Sequence, residues 1–204
     1  MKLYKDLKAA SKVRQEVRAL KVTVRTNVFP SELMDFPYLE ELYLDGNCTS
    51  FPEDGPNWNN LRVLSIKWPQ FSGDLSSLFN LSRLENLKII ETPQRTFILP
   101  LGHAASPLKS LTIKDCGLEC LPEEISILSY LTDMNLSGNH LTQLPYSLID
   151  LKNLGRLNLD GNKFEIFPDV IKKIPKLSHL SIDQNLFTDD EKARIQREFH
   201  IWPN

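Results

Sequence analysis

The apolar positions of the chain follow a fixed period, and residues 131–145 show one unit of it. The segment LTDMNLSGNHLTQLP has leucine or methionine at positions 131, 134 and 136, asparagine at 139, and further leucines at 141 and 144. This spacing fits neither a helical period nor the alternation of one strand. Related segments begin at residues 17, 39, 61, 84, 108, 154 and 177, and together with residue 131 these starts are 22–24 residues apart. A period of this length predicts a solenoid of eight stacked repeats.

Each repeat opens with a short strand whose fourth and sixth positions point inward, as Leu157 and Leu159 do in the seventh repeat. One such strand cannot bury its apolar side alone, so the strands are expected to stack into a parallel sheet over a continuous core. The ninth position is predicted to hydrogen-bond the backbone of the turn that follows. Asparagine stands there as Asn47, Asn139, Asn162 and Asn185. Cys116 replaces it in the fifth repeat, and Pro69 is expected to interrupt the ladder because proline has no donor.

The second half of each repeat is predicted to form short helices or 3₁₀ turns on the opposite, convex face, starting near Pro122 and Pro145. Residues 48–60, rich in Pro, Gly and Asn, are expected to be irregular. Helical caps are predicted at both ends, over 1–16 (with an amphipathic helix at 2–12) and over 188–204. At the C-terminal cap, Thr188 and Glu191 form a capping-box pattern. Apolar side chains there are predicted to cover the last repeat: Ile195, Phe199 and Trp202.

The LxxLxLxxN head, present in eight units in register, resembles the leucine-rich repeat family over nearly the whole chain. The resemblance implies an α/β solenoid, a horseshoe with a parallel β-sheet on its concave face, as one domain over 1–204. The ends resemble the leucine-rich repeat proteins of pathogenic spirochaetes. The residues that carry this likeness are Tyr4, Leu7, Ala10, Val17 and Leu20, then Asn185, Glu191, Arg194 and Ile195. The first repeat departs from the family because Arg25 stands at its asparagine position.

The resemblance implies a bacterial adhesin or virulence factor that binds a host cell-surface protein. By analogy with the internalins, which grip cadherin ectodomains on their concave side, the predicted partner is a cadherin-like ectodomain. The same type of repeat also occurs in intracellular scaffolds for signalling proteins, and this alternative stays open. The chain has no apolar run of 18 residues and no apolar stretch at its start, so neither a transmembrane helix nor a signal peptide is expected. A secreted or surface location with a trimmed leader is the prediction, and a cytoplasmic one the alternative.

Composition and charge limit which classes of function are expected for this chain. The net charge is −2 and the pI about 6.1, so no overall field favours nucleic acid. Residues 1–25 hold eight Lys and Arg against two acidic residues, a net charge of +6. This segment is either a solvated helix face or a patch for an acidic partner such as a sulfated glycan or an anionic membrane. The histidines and three cysteines lack metal or catalytic spacing, so no enzyme, cofactor or metal is expected. Cys116 and Cys120 are predicted to be reduced, with a disulfide between them as the alternative.

The concave face offers the candidate binding surface. The outward positions of repeats six to eight are mostly Asn, Ser and Asp, which indicates a solvated face. Repeats two to four instead carry aromatic and apolar residues flanked by charge, the usual composition of a binding hot spot. The predicted partner-binding residues are Tyr43, Asp45, Val63, Lys67, Trp68, Lys88, Ile90 and Lys114. An equally weighted interpretation of Trp68 is that it folds over the altered turn and covers Phe71.

Overall fold

The structure is a computed structural model that describes residues 1–52, 58–97, 99 and 107–203. Within these residues, nine strands form one parallel sheet in chain order. The strands are β1 (Leu3–Tyr4), β2 (Ala19–Val24), β3 (Glu41–Gly46), β4 (Val63–Lys67), β5 (Asn86–Ile90), β6 (Ser110–Lys114), β7 (Asp133–Asn135), β8 (Arg156–Asn158) and β9 (His179–Ser181). The predicted solenoid with a parallel sheet is confirmed.

The register of the sheet follows the sequence period. Glu41 of β3 pairs with Val63 of β4, and Asp133 of β7 pairs with Arg156 of β8, each at the third position of its repeat. Every unit therefore contributes the same backbone position to the ladder, and its inward leucines stack on those of the next unit. Leu42, Leu64 and Leu87 are fully buried members of this continuous core.

The convex side carries short 3₁₀ helices, as predicted. They span Ser31–Asp35, Ser76–Asn80, Glu123–Ile127, Tyr146–Asp150 and Asp169–Lys173. Four of them begin directly after a proline, namely Pro30, Pro122, Pro145 and Pro168. Proline suits this place because the first turn of a helix leaves its N–H groups without partners. The irregular segment predicted at 48–60 lies partly outside the described residues, and its described part contains no helix.

The asparagine ladder exists in the C-terminal half. The buried Asn139 side chain donates to the Ile113 and Leu136 carbonyls at 2.6 and 2.8 Å and accepts from the Cys116 and Leu118 N–H groups. Asn162 and Asn185 repeat this pattern one and two units later. Each side chain thus joins two neighbouring turns and satisfies backbone groups that water cannot reach.

The prediction for Asn47 is wrong, because that side chain is exposed and Cys48 is buried in its place. The strand of this repeat runs six residues to Gly46, whose φ of 118° lies in the left-handed region. The chain therefore turns inward one residue later than in the repeats with short strands. Gly46 is required here, because a Cβ would stand 2.0 Å from the Val24 carbonyl oxygen.

Both ends differ in part from the expected caps. The N-terminal helix α1 covers only Leu7–Ser11, because residues Leu3–Tyr4 form β1 and extend the sheet. The C-terminal helix α2 (Asp189–Phe199) is capped by Thr188, whose hydroxyl accepts from the Glu191 N–H as predicted. Trp202 does not cover the last repeat, since its side chain is 66% exposed.

The other two side chains predicted for the C-terminal cap, Ile195 and Phe199, do pack against the repeats. Ile195 of α2 is fully buried, and the Phe199 ring lies 4.2 Å from that of Phe167. The Glu191 carboxylate accepts from the Phe167 N–H at 2.8 Å and from Arg194 at 2.6 Å. The Arg194 contact, the largest cause, holds the pKa of Glu191 below its ordinary value. These bonds tie α2 to the seventh repeat.

Candidate functional site

The concave face presents the odd positions of each strand in straight rows. Parallel pairing aligns Tyr43, Ser65, Lys88 and Thr112 across β3 to β6. Neighbouring strands lie about 4.8 Å apart, so side chains on adjacent strands of one row can contact the same partner group. The prediction that these residues share one face follows from the repeat register, and the observed strand pairing has the same register.

Apolar and aromatic groups are half-exposed on the concave face of repeats two to four. Tyr43, Val63 and Ile90 lie on β3, β4 and β5 and keep part of their surface in solvent. The Tyr43 hydroxyl donates to the Glu41 carboxylate at 3.0 Å. Burial, followed by this hydrogen bond, raises the pKa of Tyr43 above its ordinary value. The phenol is thus fixed in orientation, while part of the side chain stays in solvent.

Charged groups flank these side chains, and some of them are paired with an acidic residue while another is unpaired. The Lys67 ammonium donates to the Glu91 carboxylate at 2.6 Å, and this bond raises the pKa of Lys67. Lys114 lies 3.8 Å from its neighbour Asp115. Lys88 is exposed on the central strand and has no acidic partner among the described residues. Lys88 is therefore the cation of this surface that is free to pair with a ligand.

Trp68 is not part of the exposed surface, which corrects the prediction that it contacts a partner. Its side chain has no exposed surface, and its ring centre lies 5.6 Å from that of Phe71. Further edge and tilted contacts join it to Phe29 and Phe51. The alternative interpretation, in which Trp68 covers Phe71, is confirmed.

The cause is the turn after β4. The Trp68 N–H donates to the Thr92 hydroxyl at 2.8 Å, and that hydroxyl donates to the Ile90 carbonyl. Thr92 is fully buried and joins two turns as the asparagines do elsewhere. With its N–H held by this bond, Trp68 continues the inward side of β4 after Leu64 and Ile66, and Pro69 takes the exposed place.

The structure also shows a concavity that the sequence did not indicate. A depression of about 320 Å³ lies on the concave face of repeats five to eight. Its polar lining consists of Ser110, Thr112, Asp133, Asn135, Arg156, Asn158, His179 and Ser181. Most of these side chains are short, and short side chains on a curved sheet leave an open depression. The sequence displays their small size, but that pattern predicts only a solvated face.

Most polar groups of this depression already bond within the protein. The Asn135 and Asn158 amide oxygens accept from the backbone N–H groups of Ser137 and Asp160 at 3.0 and 2.9 Å. Arg156 forms an ion pair with Asp133 on the neighbouring strand. Most polar groups that line the depression are therefore already paired, in contrast to the Lys88 ammonium.

The thiols and histidines do not assemble a reactive site within the described residues. Cys48 and Cys116 are buried and Cys120 is exposed, and all three are free thiols. Burial raises the pKa of the Cys116 thiol to about 11, so it stays protonated at neutral pH. The described part of the chain holds no cluster of His, Cys, Asp or Glu suited to a metal ion. His103 lies outside the described residues.

The basic N-terminal segment is partly paired. Arg14 bonds Asp35 at 2.8 Å, and Arg18 lies 3.6 Å from Glu40.

Among the described residues there is no helix of the length and apolar character that a membrane crossing requires.

Comparison with known proteins agrees with this fold. The profile described as leucine rich repeat matches residues 106–164. A curated Arabidopsis thaliana protein, disease resistance-like protein DSC1, is 29% identical over 124 residues, which is 57% of this chain and 10% of that protein. The chain thus spans about a tenth of the length of this relative.

Solved structures of bacterial proteins share the architecture. InlP of Listeria monocytogenes matches with a TM-score of 0.67 at 20% identity, over 82% of this chain and 48% of that one. The leucine-rich effector protein YopM of Yersinia pestis gives 0.60 at 19% identity, over 83% and 50%. A leucine-rich repeat protein of Leptospira interrogans gives 0.43 at 20% identity, over 97% of this chain and 68% of that one. At these identities the likeness establishes the fold alone.

Proposed function

We propose that this chain, a leucine-rich repeat solenoid, is a non-enzymatic protein-binding module whose contact surface is the concave face of repeats two to four. The observation that carries the proposal is the grouping of Tyr43, Val63 and Ile90 around Lys88. Three half-exposed side chains on adjacent strands surround one exposed ammonium without an acidic partner among the described residues. Aromatic and apolar anchors beside an unpaired charge are what protein interfaces use at their centres.

The rigidity of the surface favours binding. Because β3, β4 and β5 are paired along nearly their whole length, the backbone under these side chains needs no ordering when a partner arrives. The hydrogen bond from Tyr43 to Glu41 also fixes the phenol before contact. Pre-organisation of this kind reduces the entropy cost of association, so a modest surface can still give useful affinity.

The charges of the surface are expected to contribute unequally. A partner carboxylate that approaches Lys88 gains a new ion pair. One that approaches Lys67 must compete with the existing 2.6 Å contact to Glu91. Asp45, Lys67 and Lys114 are therefore proposed to tune specificity around the centre, while Tyr43, Val63, Lys88 and Ile90 supply most of the affinity. Trp68 has no part in this surface.

The proposed partner is a host cell-surface protein, which makes the chain a bacterial adhesin or virulence factor that acts outside the cell. This finer proposal is supported by the fold shared with InlP of Listeria monocytogenes and with YopM, an effector protein of Yersinia pestis. A cadherin-like ectodomain is the first ligand to test. Sulfated glycans form the second group, because residues 1–25 carry a net charge of +6.

A second function, an intracellular scaffold for signalling proteins, is favoured by one specific observation. All three cysteines are free, and Cys120 is exposed. Extracellular proteins seldom keep an exposed free thiol, whereas reducing compartments preserve it. The scaffold would use the same concave surface with a different partner.

Binding to a panel of ectodomains and glycans, measured by interferometry, tests the proposal. The unmodified protein is compared with Tyr43→Ala/Ile90→Ala and with the control His179→Ala, which alters an exposed residue on the same face in the last repeat. We expect a bound ectodomain to lose affinity at least about tenfold with the double variant and to be unaffected by the control. Equal binding by all three proteins refutes the site. Binding to cytosolic signalling proteins instead of any ectodomain selects the scaffold.

A further inference from the structure

The sheet has an open edge near its N-terminal end. β1 pairs with β2 only at Ala19 and Leu20, whereas β3 pairs with all six residues of β2. The strand from Lys21 to Val24 therefore has a neighbour on one side only. Unpaired strand edges are templates for pairing with another extended segment.

The orientation of the backbone identifies the free groups. The carbonyls of Arg18 and Val24 accept from the N–H groups of Glu41 and Asn47, so the even-numbered residues of β2 point their backbone toward β3. Because the direction of the backbone groups alternates along a strand, the N–H and C=O groups of the odd-numbered residues of β2 point away from β3. The N–H and C=O of Thr23 face the open edge, and no described residue hydrogen-bonds either of them.

A groove runs along this edge, which we name the N-terminal groove. It has a volume of about 870 Å³ and lies between β2, the start of α1 and the turn before the 3₁₀ helix Ser31–Asp35. Its lining comprises residues 5–8, 22–26 and 28–32. The apolar part includes Leu7, which is half-buried, and Val28, which is 71% exposed.

The charge around the groove favours an acidic ligand. Lys5, Lys8 and Arg25 line it and are exposed, with no acidic partner among the described residues. The acidic side chains of the lining are Asp6 and Glu32. The Asp6 carboxylate is already engaged, since it accepts from the Lys8 and Ala9 N–H groups at 2.9 and 3.3 Å. Lys21, exposed on the same strand, adds a further cation at the edge.

We propose that the N-terminal groove binds an extended acidic segment of a protein partner, which adds to the open edge of β2 as a short strand. Its backbone pairs with the free carbonyl of Lys21 and with the free N–H and carbonyl of Thr23. The alternation of a strand matches the two sides of the groove: acidic side chains lie next to Lys21 and Arg25, and apolar ones lie over Val22 and Leu7. This site is separate from the concave surface around Lys88 and does not depend on it.

The strand geometry distinguishes this ligand from a sulfated glycan. A glycan can neutralise the lysines and arginines but offers no backbone ladder, and it needs no N–H at position 23. A peptide gains both ion pairs and roughly three or four main-chain hydrogen bonds. The decisive observable is therefore the dependence of binding on the backbone of Thr23 and of the peptide.

The probe is a fluorescent peptide of about seven residues in which glutamate alternates with valine, with affinity measured by anisotropy. Two control peptides have the same length and alternation: one has lysine for glutamate, which reverses the charge, and one has N-methyl groups on alternate backbone amides, which keeps the charge and removes the backbone donors. The protein variants are Thr23→Pro, which removes the outward N–H at an edge position that tolerates proline, and Thr23→Val, which keeps it. A third variant, Arg25→Glu, reverses one charge of the groove, and Lys12→Glu reverses one outside its lining.

We expect Thr23→Pro and Arg25→Glu each to weaken binding at least about tenfold, while Thr23→Val and Lys12→Glu retain it. The N-methylated and lysine peptides should bind at least about tenfold more weakly to the unmodified protein, a result that does not require Thr23→Pro to fold. Peptide binding should also slow amide exchange at Thr23 and leave that at Lys88 unchanged.

Three results overturn the proposal. Equal affinity for the normal and N-methylated peptides shows that charge alone acts. Tight binding of a sulfated glycan together with no peptide binding assigns the groove to glycans. Concentration-dependent dimers that Thr23→Pro abolishes, seen by sedimentation, show that a second copy of the chain occupies the edge.

Discussion

The two asparagines Asn139 and Asn47 stand at the same position of their repeats, yet the structure predicts very different effects when each is replaced by alanine. Asn139 is 2% exposed and makes hydrogen bonds to both its own turn and the preceding one. Asn47 is exposed and makes no side-chain hydrogen bond within the described residues. The pair therefore tests whether burial, rather than the sequence motif, determines the contribution to stability.

The size of the Asn139→Ala effect follows from the groups left behind. The variant removes the acceptor of the Cys116 and Leu118 N–H groups and the donor to the Ile113 and Leu136 carbonyls. A buried group without its partner costs roughly 1–3 kcal/mol. Counting the two N–H groups, whose acceptor is lost entirely, we expect the free energy of unfolding to fall by about 2–6 kcal/mol. Asn47→Ala should change it by less than about 0.5 kcal/mol.

Urea unfolding followed by far-UV circular dichroism measures both variants on the same scale. The slope of the transition must be compared as well, because repeat proteins can unfold in parts when one unit is weakened. A loss below about 1 kcal/mol for Asn139→Ala, or an equal loss for the two variants, refutes the reasoning.

Three further predictions concern the core, the thiols and the C-terminal cap. Trp68→Ala should lower the free energy of unfolding by about 3–5 kcal/mol, measured in urea, without weakening ligand binding by folded protein. A maleimide should label Cys120 in the folded protein, and mass spectrometry should find Cys116, whose pKa is about 11, unlabelled until denaturation. Arg194 lowers the pKa of Glu191 in the folded protein. The contact therefore stabilises the fold at pH values above the pKa of Glu191 in the unfolded chain. This stabilisation is lost as the pH falls through the pKa of Glu191 in the folded protein. Glu191→Gln should therefore flatten the decline in thermal midpoint below about pH 4, and an unchanged decline contradicts the assignment.

The period of the sequence was sufficient to predict the solenoid and its register. A repeat of 22–24 residues with apolar fourth and sixth positions has few other ways to bury its strands. The exposed row from Tyr43 to Lys88 follows from the same register, because strand side chains alternate strictly. These features depend on spacing alone, which the sequence displays directly.

The features that escaped prediction depend on the turns. Asn47 lies outside the core because β3 extends to Gly46, and Trp68 lies inside it in a turn whose backbone bonds to Thr92. Neither the added strand length nor that bond leaves a periodic signal. The position of Trp202 likewise depends on the path of the chain after α2. A one-residue change in where a turn begins exchanges an inward for an outward side chain, so turns limit what the sequence can predict.

Hydroxyl-radical footprinting of the protein in complex with a bound ectodomain tests the central claim most directly. Tyr43 lies on the concave face, while Tyr146 lies in a convex 3₁₀ helix and is exposed. Because both are tyrosines, their oxidation by hydroxyl radicals compares the two faces with the same side-chain chemistry. We predict that oxidation of Tyr43 falls at least about fivefold in the complex and that of Tyr146 does not change. Protection of Tyr146 with unchanged oxidation of Tyr43 would contradict binding through the concave face of repeats two to four.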